Sequence, residues 1–209
     1  KKSPFYVTAR LGKNGIPFKM IKLRSMVIDA DKSGVVSSSD NDKRITSIGH
    51  KIRKYKLDEL VQLWNVLKGD MSLVGPRPNV KDETDLYTET EKGLLAIKPG
   101  ITDFSSIVFS DEGDILKGKD NPDLVYNQLI RPWKSRLGLI YIQNQSFLLD
   151  VKIIIYTLIA ITSKQKALNW VSSQLKLMNV DLKVINMSKR EEELYPFPPP
   201  GMDKIITER

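Results

Sequence analysis

Asp58 and Glu59 stand side by side in the segment Asp42 to Pro78, where a basic stretch gives way to an amphipathic one. Paired carboxylates can hold a divalent cation, or one can act as nucleophile while the other positions a substrate. His50, Lys51, Arg53, Lys54 and Lys56 precede the pair, and Gly75-Pro76-Arg77-Pro78 follows it. That turn is rigid and presents one guanidinium, the preferred bidentate partner of phosphate. Two acids among bases point to phosphate chemistry. A carboxylate needs no deprotonation at neutral pH, which matters in a chain with one His and no Cys. A cysteine nucleophile and a His-rich zinc site are thereby excluded. His50 itself reads as a surface or capping histidine.

The element that must position the pair is a helix. Apolar residues recur at Leu57, Leu60, Val61, Trp64 and Leu67, the spacing of one buried helical face, and Gly69 after Lys68 is a C-terminal stop. The spacing predicts a helix over 57–68 with both acids in its first turn. Free backbone N–H groups and the positive end of the helix dipole gather there and favour an anion. The same placement serves ordinary helix stabilisation, and such Pro-bounded turns also occur for purely structural reasons. The residues by themselves therefore lead as far as an anion site built from two acids and several bases.

Around that segment the pattern predicts an α+β fold, mostly helical with a small associated β-hairpin. The hairpin covers residues 5–28, with a Gly12–Gly15 turn, and a Ser- and Asp-rich loop follows over 29–43. Helices are expected at about 45–55, 82–96, 122–143, 147–163 and 165–177, with an irregular or short-strand stretch over 98–109. The domain boundaries are read as 1–187 for the catalytic unit and 188–209 for a tail. In that tail PFPPPG favours an extended segment, a surface wrap or an oligomer contact.

Five strings resemble, in order, the core of the bacterial sugar transferase family, the monotopic phosphoglycosyl transferases. They are GKNGIPFKMIKLRSM (from Gly12), the DKRITSIG run, LDELVQLWNVLKGDMSLVGPRP (from Leu57), KPGIT (from Lys98) and YIQNQSFLLDVKII (from Tyr141). The resemblance implies transfer of a sugar 1-phosphate, of N-acetylhexosamine type, from a UDP-sugar to polyprenol (undecaprenyl) phosphate. UMP is released and bacterial glycoconjugate assembly begins. It makes Asp58 the nucleophile of a ping-pong reaction through a phosphosugar intermediate. Glu59 matches the second acid, and Mg²⁺ is the implied cofactor, held by Asp58 and Glu59. Substrate contacts fall by resemblance on Arg77, Pro78, Lys22, Arg24 and Asp42, and Arg53 is close enough in sequence to reach the same helix end. Lys22 and Arg24 fit equally a half-exposed strand, and Asp42 a cap or turn.

The chain departs from the family in two places. After KPGIT the family commonly places an arginine where this chain has Ser110, and Arg131 or Arg136 is a candidate substitute. The family's hydrophobic segment ahead of Ser3 has no counterpart in a sequence that starts at Lys1. The expected reading is a piece without its N-terminal membrane anchor. FLLDVKIIIYTLIAIT, Phe147 to Thr162, reads as either a buried core helix or a helix at the membrane interface.

Composition agrees with this reading. A net charge of +8 attracts anionic partners. Anionic inner-membrane lipid on the cytoplasmic face is the partner consistent with the resemblance, and a homo-oligomer is a further expectation. Nucleic acid is not expected, because the lysines are spread among acids rather than gathered in a tract. A catalytically silent membrane-surface module on the same fold is the alternative, and an ordinary glycosyltransferase releasing UDP is a third reading.

Overall fold

The computed structural model describes residues 3–30 and 42–208. The segment 31–41 of the expected Ser- and Asp-rich loop lies outside the described residues. Strand β1 (Phe5–Leu11) pairs antiparallel with β2 (Pro17–Leu23), with Tyr6 opposite Lys22 and Thr8 opposite Met20. Asn14 and Gly15, in the connection between Leu11 and Pro17, both take left-handed φ, 58° and 72°, a region that Gly adopts freely and Asn tolerates. The second strand ends at Leu23, short of the expected Ile28. There Arg24 turns its guanidinium back to the carbonyls of Ser3 and Phe5.

Helix α1 (Ser47–Lys54) starts at Thr46, whose hydroxyl accepts from the Gly49 N–H at 3.0 Å. The expected helix over 57–68 is instead two short pieces, α2 (Leu57–Leu60) and α3 (Leu63–Leu67). Its apolar face is also turned the other way. Leu60, Trp64 and Leu67 are 57, 57 and 79% exposed, while Gln62 and Asn65 are buried at 2 and 0%. Polar bonding outweighs apolar burial here. The Asn65 side chain accepts from Ile21 N–H and donates to Lys19 O and Asp70, tying α3 to β2. An unpaired buried amide would cost about 1–3 kcal/mol, so the polar face is pinned inward.

Strand β3 (Ser72–Val74) pairs parallel with β4 (Gly100–Thr102), joining the GPRP turn to the KPGIT string. Gly75 N–H donates to Thr102 O and Gly100 N–H to Pro76 O. The backbones approach so closely that a Cβ at Gly100 would lie 2.1 Å from Gly75 N, so only glycine fits. The helix expected over 82–96 is reduced to α4 (Lys81–Thr84) and a 3₁₀ segment, Glu91–Ala96. Helix α5 (Phe104–Val108) begins at buried Asp103, which caps Ser106 N–H and accepts from the Ser105 and Ser106 hydroxyls. Helix α6 (Glu112–Ile115) follows.

A run from α7 (Pro122–Val125) through a π-helical turn, Tyr126–Ile130, into α8 (Arg131–Asn144) forms the central post. Against it pack α9 (Phe147–Thr162), α10 (Lys164–Leu177) and the unexpected α11 (Leu182–Lys189). Trp133, Leu137, Ile153, Phe104, Ile107, Val171 and Leu175 are fully buried in one apolar cluster. Helix α9 is buried on one side and exposed on the other. Leu149 and Ile153 enter the core and Tyr156 stacks on Trp170 at 4.2 Å, whereas Leu148, Val151, Ile155, Leu158 and Ile161 are exposed. Among the described residues no helix is long and apolar enough to cross a membrane. The proline-rich segment lies on α8: Phe197 stacks on Trp133 at 4.3 Å, and Thr88 Oγ1 donates to Pro200 O.

Candidate active site

Strand alternation puts Arg10, Met20 and Lys22 on one face of the hairpin. These three line a cleft of about 220 Å³ together with Arg53, Arg77 and Pro78. Asn79 and Val80 continue the wall, and Glu112, Tyr126 and Lys134 close the far side. The hairpin is fastened to the GPRP turn by Leu11 N–H donating to Asn79 O at 3.0 Å. Tertiary structure thus gathers the hairpin, α1, the GPRP turn, α6 and the run from Tyr126 into α8 around one polar space.

The two adjacent acids have different partners. Glu59 receives a short hydrogen bond from Arg77 Nη2, and Lys22 Nζ lies 3.6 Å from the same oxygen. Burial alone would raise the Glu59 carboxyl, but Arg77 and Lys22 outweigh it and hold the group far below the ordinary carboxylate range. Glu59 in turn keeps Arg77 more firmly protonated. Asp58 is 8% exposed and, among the described residues, accepts no hydrogen bond and makes no salt bridge. Burial, and next the Glu59 charge, raise the Asp58 carboxyl above its ordinary value, while Lys22, Arg77 and Arg53 act against this. Asp58 is therefore the more basic of the pair, and among the described residues no other group engages its oxygens.

The backbone contributes to this exposure of function. Lys56, between α1 and α2, has φ 52°, a left-handed conformation uncommon outside glycine. The reversal there starts a new helix at Leu57 and sets Asp58 in its first turn.

The expected substrate contacts divide into two groups. Lys22, Arg53, Arg77 and Pro78 line the cleft. Arg24 and Asp42 do not. Arg24 secures the base of the hairpin, and Asp42 is held in a turn by the Arg44 backbone and guanidinium at 2.6–3.0 Å. Neither proposed substitute for the family arginine reaches the cleft. Arg131 is buried against Glu91, and Arg136 clamps Pro132 O and Pro198 O. Ser110 lines a separate cavity. His50 is exposed on α1.

Sequence reasoning passed over Arg10, Glu112, Tyr126 and Lys134. Arg10 carried a signal, since hairpin alternation with Lys22 as reference selects it. Glu112 and Lys134 form an ion pair within the cleft. Burial would raise Glu112, but Lys134 and then Arg77 hold it below its ordinary value. No local spacing links those two residues.

The donor set suits Mg²⁺ in one way only. Among the described residues no group of three metal-ligating side chains occurs. Asp58 and Glu59 supply two carboxylates, one of them already engaged. Mg²⁺ is commonly held by one or two carboxylates plus substrate phosphates, so these residues fit it in company with a diphosphate.

Lys22 gives a pH test of the cleft. Burial, reinforced by Arg77, lowers its ammonium from 10.5 to about 8. The cleft should lose a positive charge as pH rises through about 8, so anion affinity and kcat/KM should fall there. Stability should move oppositely. Above about 8 the unfolded chain retains the Lys22 proton that the folded chain has lost, so stability should rise with pH up to 10.5. A kcat/KM profile that keeps its break near 8 in Lys22→Arg would assign it to another group.

The sequence pattern of the bacterial sugar transferase family matches residues 1–164. The chain belongs to that family. A Bacillus subtilis (strain 168) relative, provisionally named an undecaprenyl-phosphate N-acetylgalactosaminyl 1-phosphate transferase, is 56% identical over 97 residues, 46% of this chain and 50% of its own length. The galactosyl transferase CpsE of Streptococcus agalactiae serotype III (strain NEM316) is 39% identical over 160 residues, 71% of this chain and 32% of its own. The UDP-glucose:undecaprenyl-phosphate glucose-1-phosphate transferase of Klebsiella pneumoniae is 35% identical over 152 residues, 71% of this chain and 30% of its own. The chain thus spans 30 to 50% of the length of these bacterial sugar transferases, and their names carry three different sugars.

Proposed function

We propose that this bacterial sugar transferase moves a sugar 1-phosphate, of N-acetylhexosamine type, from a UDP-sugar to polyprenol phosphate and so initiates polysaccharide assembly. The observation that supports it best is the division between adjacent carboxylates: Glu59 is engaged by Arg77 and Lys22, and Asp58 is left available beside them. In the first step an Asp58 oxygen attacks the sugar-bearing phosphorus. The bond to the bridging oxygen breaks, and UMP leaves with the electron pair. In the second step an oxygen of the polyprenol phosphate attacks the same phosphorus and Asp58 is released as carboxylate.

The cationic groups match the charge of this reaction. Phosphoryl transfer depends chiefly on in-line positioning and on neutralising phosphate oxygens. Arg77 supplies a planar guanidinium, and Arg10, Lys22 and Arg53 extend the positive wall. Mg²⁺, when bound through Asp58, Glu59 and the diphosphate, would add charge neutralisation on the leaving phosphate.

Intact-protein mass spectrometry tests this reading. With Mg²⁺, a panel of UDP-sugars and no lipid acceptor, the protein should gain the mass of one sugar phosphate and release UMP. Release of UDP would instead favour an ordinary glycosyltransferase, and turnover without any adduct would discard the covalent route.

The same reading places the protein on the cytoplasmic face of the inner membrane. The outward row Leu57, Leu60, Leu63, Trp64 and Leu67 on α2–α3, near basic α1, suits an anionic lipid surface. Trp64→Ser should weaken flotation with phosphatidylglycerol vesicles by about tenfold, the effect of losing roughly 1.4 kcal/mol of buried apolar contact. Unchanged flotation would remove this row from the membrane-facing surface.

A further inference from the structure

A second cavity, of about 260 Å³, shares no lining residue with the cleft. Lys54 and Lys56 enter it from the break between α1 and α2, and Lys164 from the start of α10. The Lys56 ammonium makes no hydrogen bond or salt bridge among the described residues, and burial lowers it from its ordinary value. Of the two acids on the wall, Asp111 is shared by Lys164 at 2.5 Å and Arg190 at 3.2 Å, and Asp114 is exposed. Three ammoniums against two carboxylates, one of them doubly paired, leave the cavity net positive. The Ser110 hydroxyl is exposed beside it and has no hydrogen bond among the described residues.

Ile107, Ala160 and Ile161 add apolar surface to the lining. Ile161 is the last residue of an exposed stripe on α9 that runs back through Leu158, Ile155, Val151 and Leu148. Residues at that spacing share one helix edge, and 13 steps of helix extend about 20 Å. A cationic cavity therefore opens at one end of a hydrocarbon-sized apolar track. Neither half suits a free inorganic anion or a plain alkyl chain as well as the two together suit an amphiphile.

We infer that this cavity receives the phosphate group of the lipid phosphate acceptor, with its hydrocarbon chain lying along the Leu148–Ile161 edge of α9. The assignment of that lipid as acceptor rests on the proposed transfer at Asp58. Lys56, which lines the cavity, stands at the N-terminal end of α2, two residues ahead of Asp58. The cavity therefore adjoins the start of the helix that carries Asp58, while the donor occupies the cleft lined by Arg77 and Lys22. The donor is water-soluble and the cleft walls are polar, whereas the second cavity adjoins the exposed apolar edge of α9.

Lysine acylation footprinting by mass spectrometry tests the site without relying on turnover. Polyprenyl phosphate in detergent micelles should protect Lys54, Lys56 and Lys164 about tenfold, corresponding to occupancy of roughly nine sites in ten, and leave Lys22 unprotected. Phosphatidylglycerol in the same micelles, and inorganic phosphate, should protect them far less. Ser110→Trp, which fills the cavity from an exposed position without changing charge, should abolish the protection and raise the acceptor KM relative to the donor KM. No protection by polyprenyl phosphate overturns the inference. Equal protection by phosphatidylglycerol or by inorganic phosphate also overturns it, in favour of a bulk-lipid or simple anion site. The donor-only mass adduct separates the two ideas: its formation without lysine protection rejects this site alone, and protection without an adduct rejects the transfer at Asp58 while a lipid phosphate site stands.

Discussion

Asp58→Asn should abolish the sugar-phosphate adduct and lower turnover by roughly 10⁴-fold or more, the scale on which removal of a covalent nucleophile acts. The substitution is nearly isosteric and removes one negative charge, so the local fold should persist. Glu59 keeps Arg77 and Lys22 in either case, so the cleft should still bind the donor. Donor binding by calorimetry, alongside UMP release, therefore distinguishes lost chemistry from lost binding. Retention of even a tenth of wild-type turnover would move the nucleophile elsewhere, and Glu59→Gln would then be the next variant. Glu59 should behave differently. Its removal leaves Arg77 and Lys22 without their anion, so the expected loss combines donor mispositioning with altered cleft charge.

Arg131→Met should destabilise the fold by about 3–5 kcal/mol, because it strands a buried carboxylate. Glu91 is fully buried and accepts from Arg131 Nε at 3.1 Å, Ser135 Oγ at 2.6 Å and Thr88 N–H at 3.1 Å. Arg131 also donates to Asn127 and Leu86 O. The pair ties the 3₁₀ segment and the loop after α4 to the first turn of α8. Thermal unfolding should move down by on the order of 10 °C for a chain of this size. The double variant Arg131→Met with Glu91→Gln should recover part of the loss, since the stranded charge is gone. A single variant within about 1 kcal/mol of wild type would show that Glu91 finds water or protonates instead. This arginine had been a candidate to replace the one the family places at Ser110, and its burial assigns it to stability.

The local pattern carried much of the fold because it is encoded locally. The hairpin, its Gly12–Gly15 turn, α1, α9 and α10 all follow from short-range periodicity and caps. The errors arose where long-range polar bonds decide. Over 57–68 the apolar spacing was real, but periodicity identifies an amphipathic face and says nothing about what that face meets. Asn65 bonds to the β2 backbone and turns the apolar row outward. Over 82–96 the expected helix gives way to α4 and a 3₁₀ segment, in which Glu91 is drawn inward by Arg131. The parallel β3–β4 pair, three residues in each strand, is too short to leave a periodic trace.

The candidate site divides in the same manner. By itself the sequence determined the adjacent acids at a helix start, the arginine of the Pro-bounded turn, the strand face that holds Lys22, and, through the order of its motifs, membership of the bacterial sugar transferases. Those are properties of residue type and short spacing. Only the tertiary structure decided that Glu59 pairs with Arg77 while Asp58 stays available, that Arg24 and Asp42 serve the scaffold, and that Glu112, Tyr126 and Lys134 complete the cleft. Each of those outcomes depends on which distant groups compete for the same charge or the same buried space, and that competition is settled only when the segments are packed together.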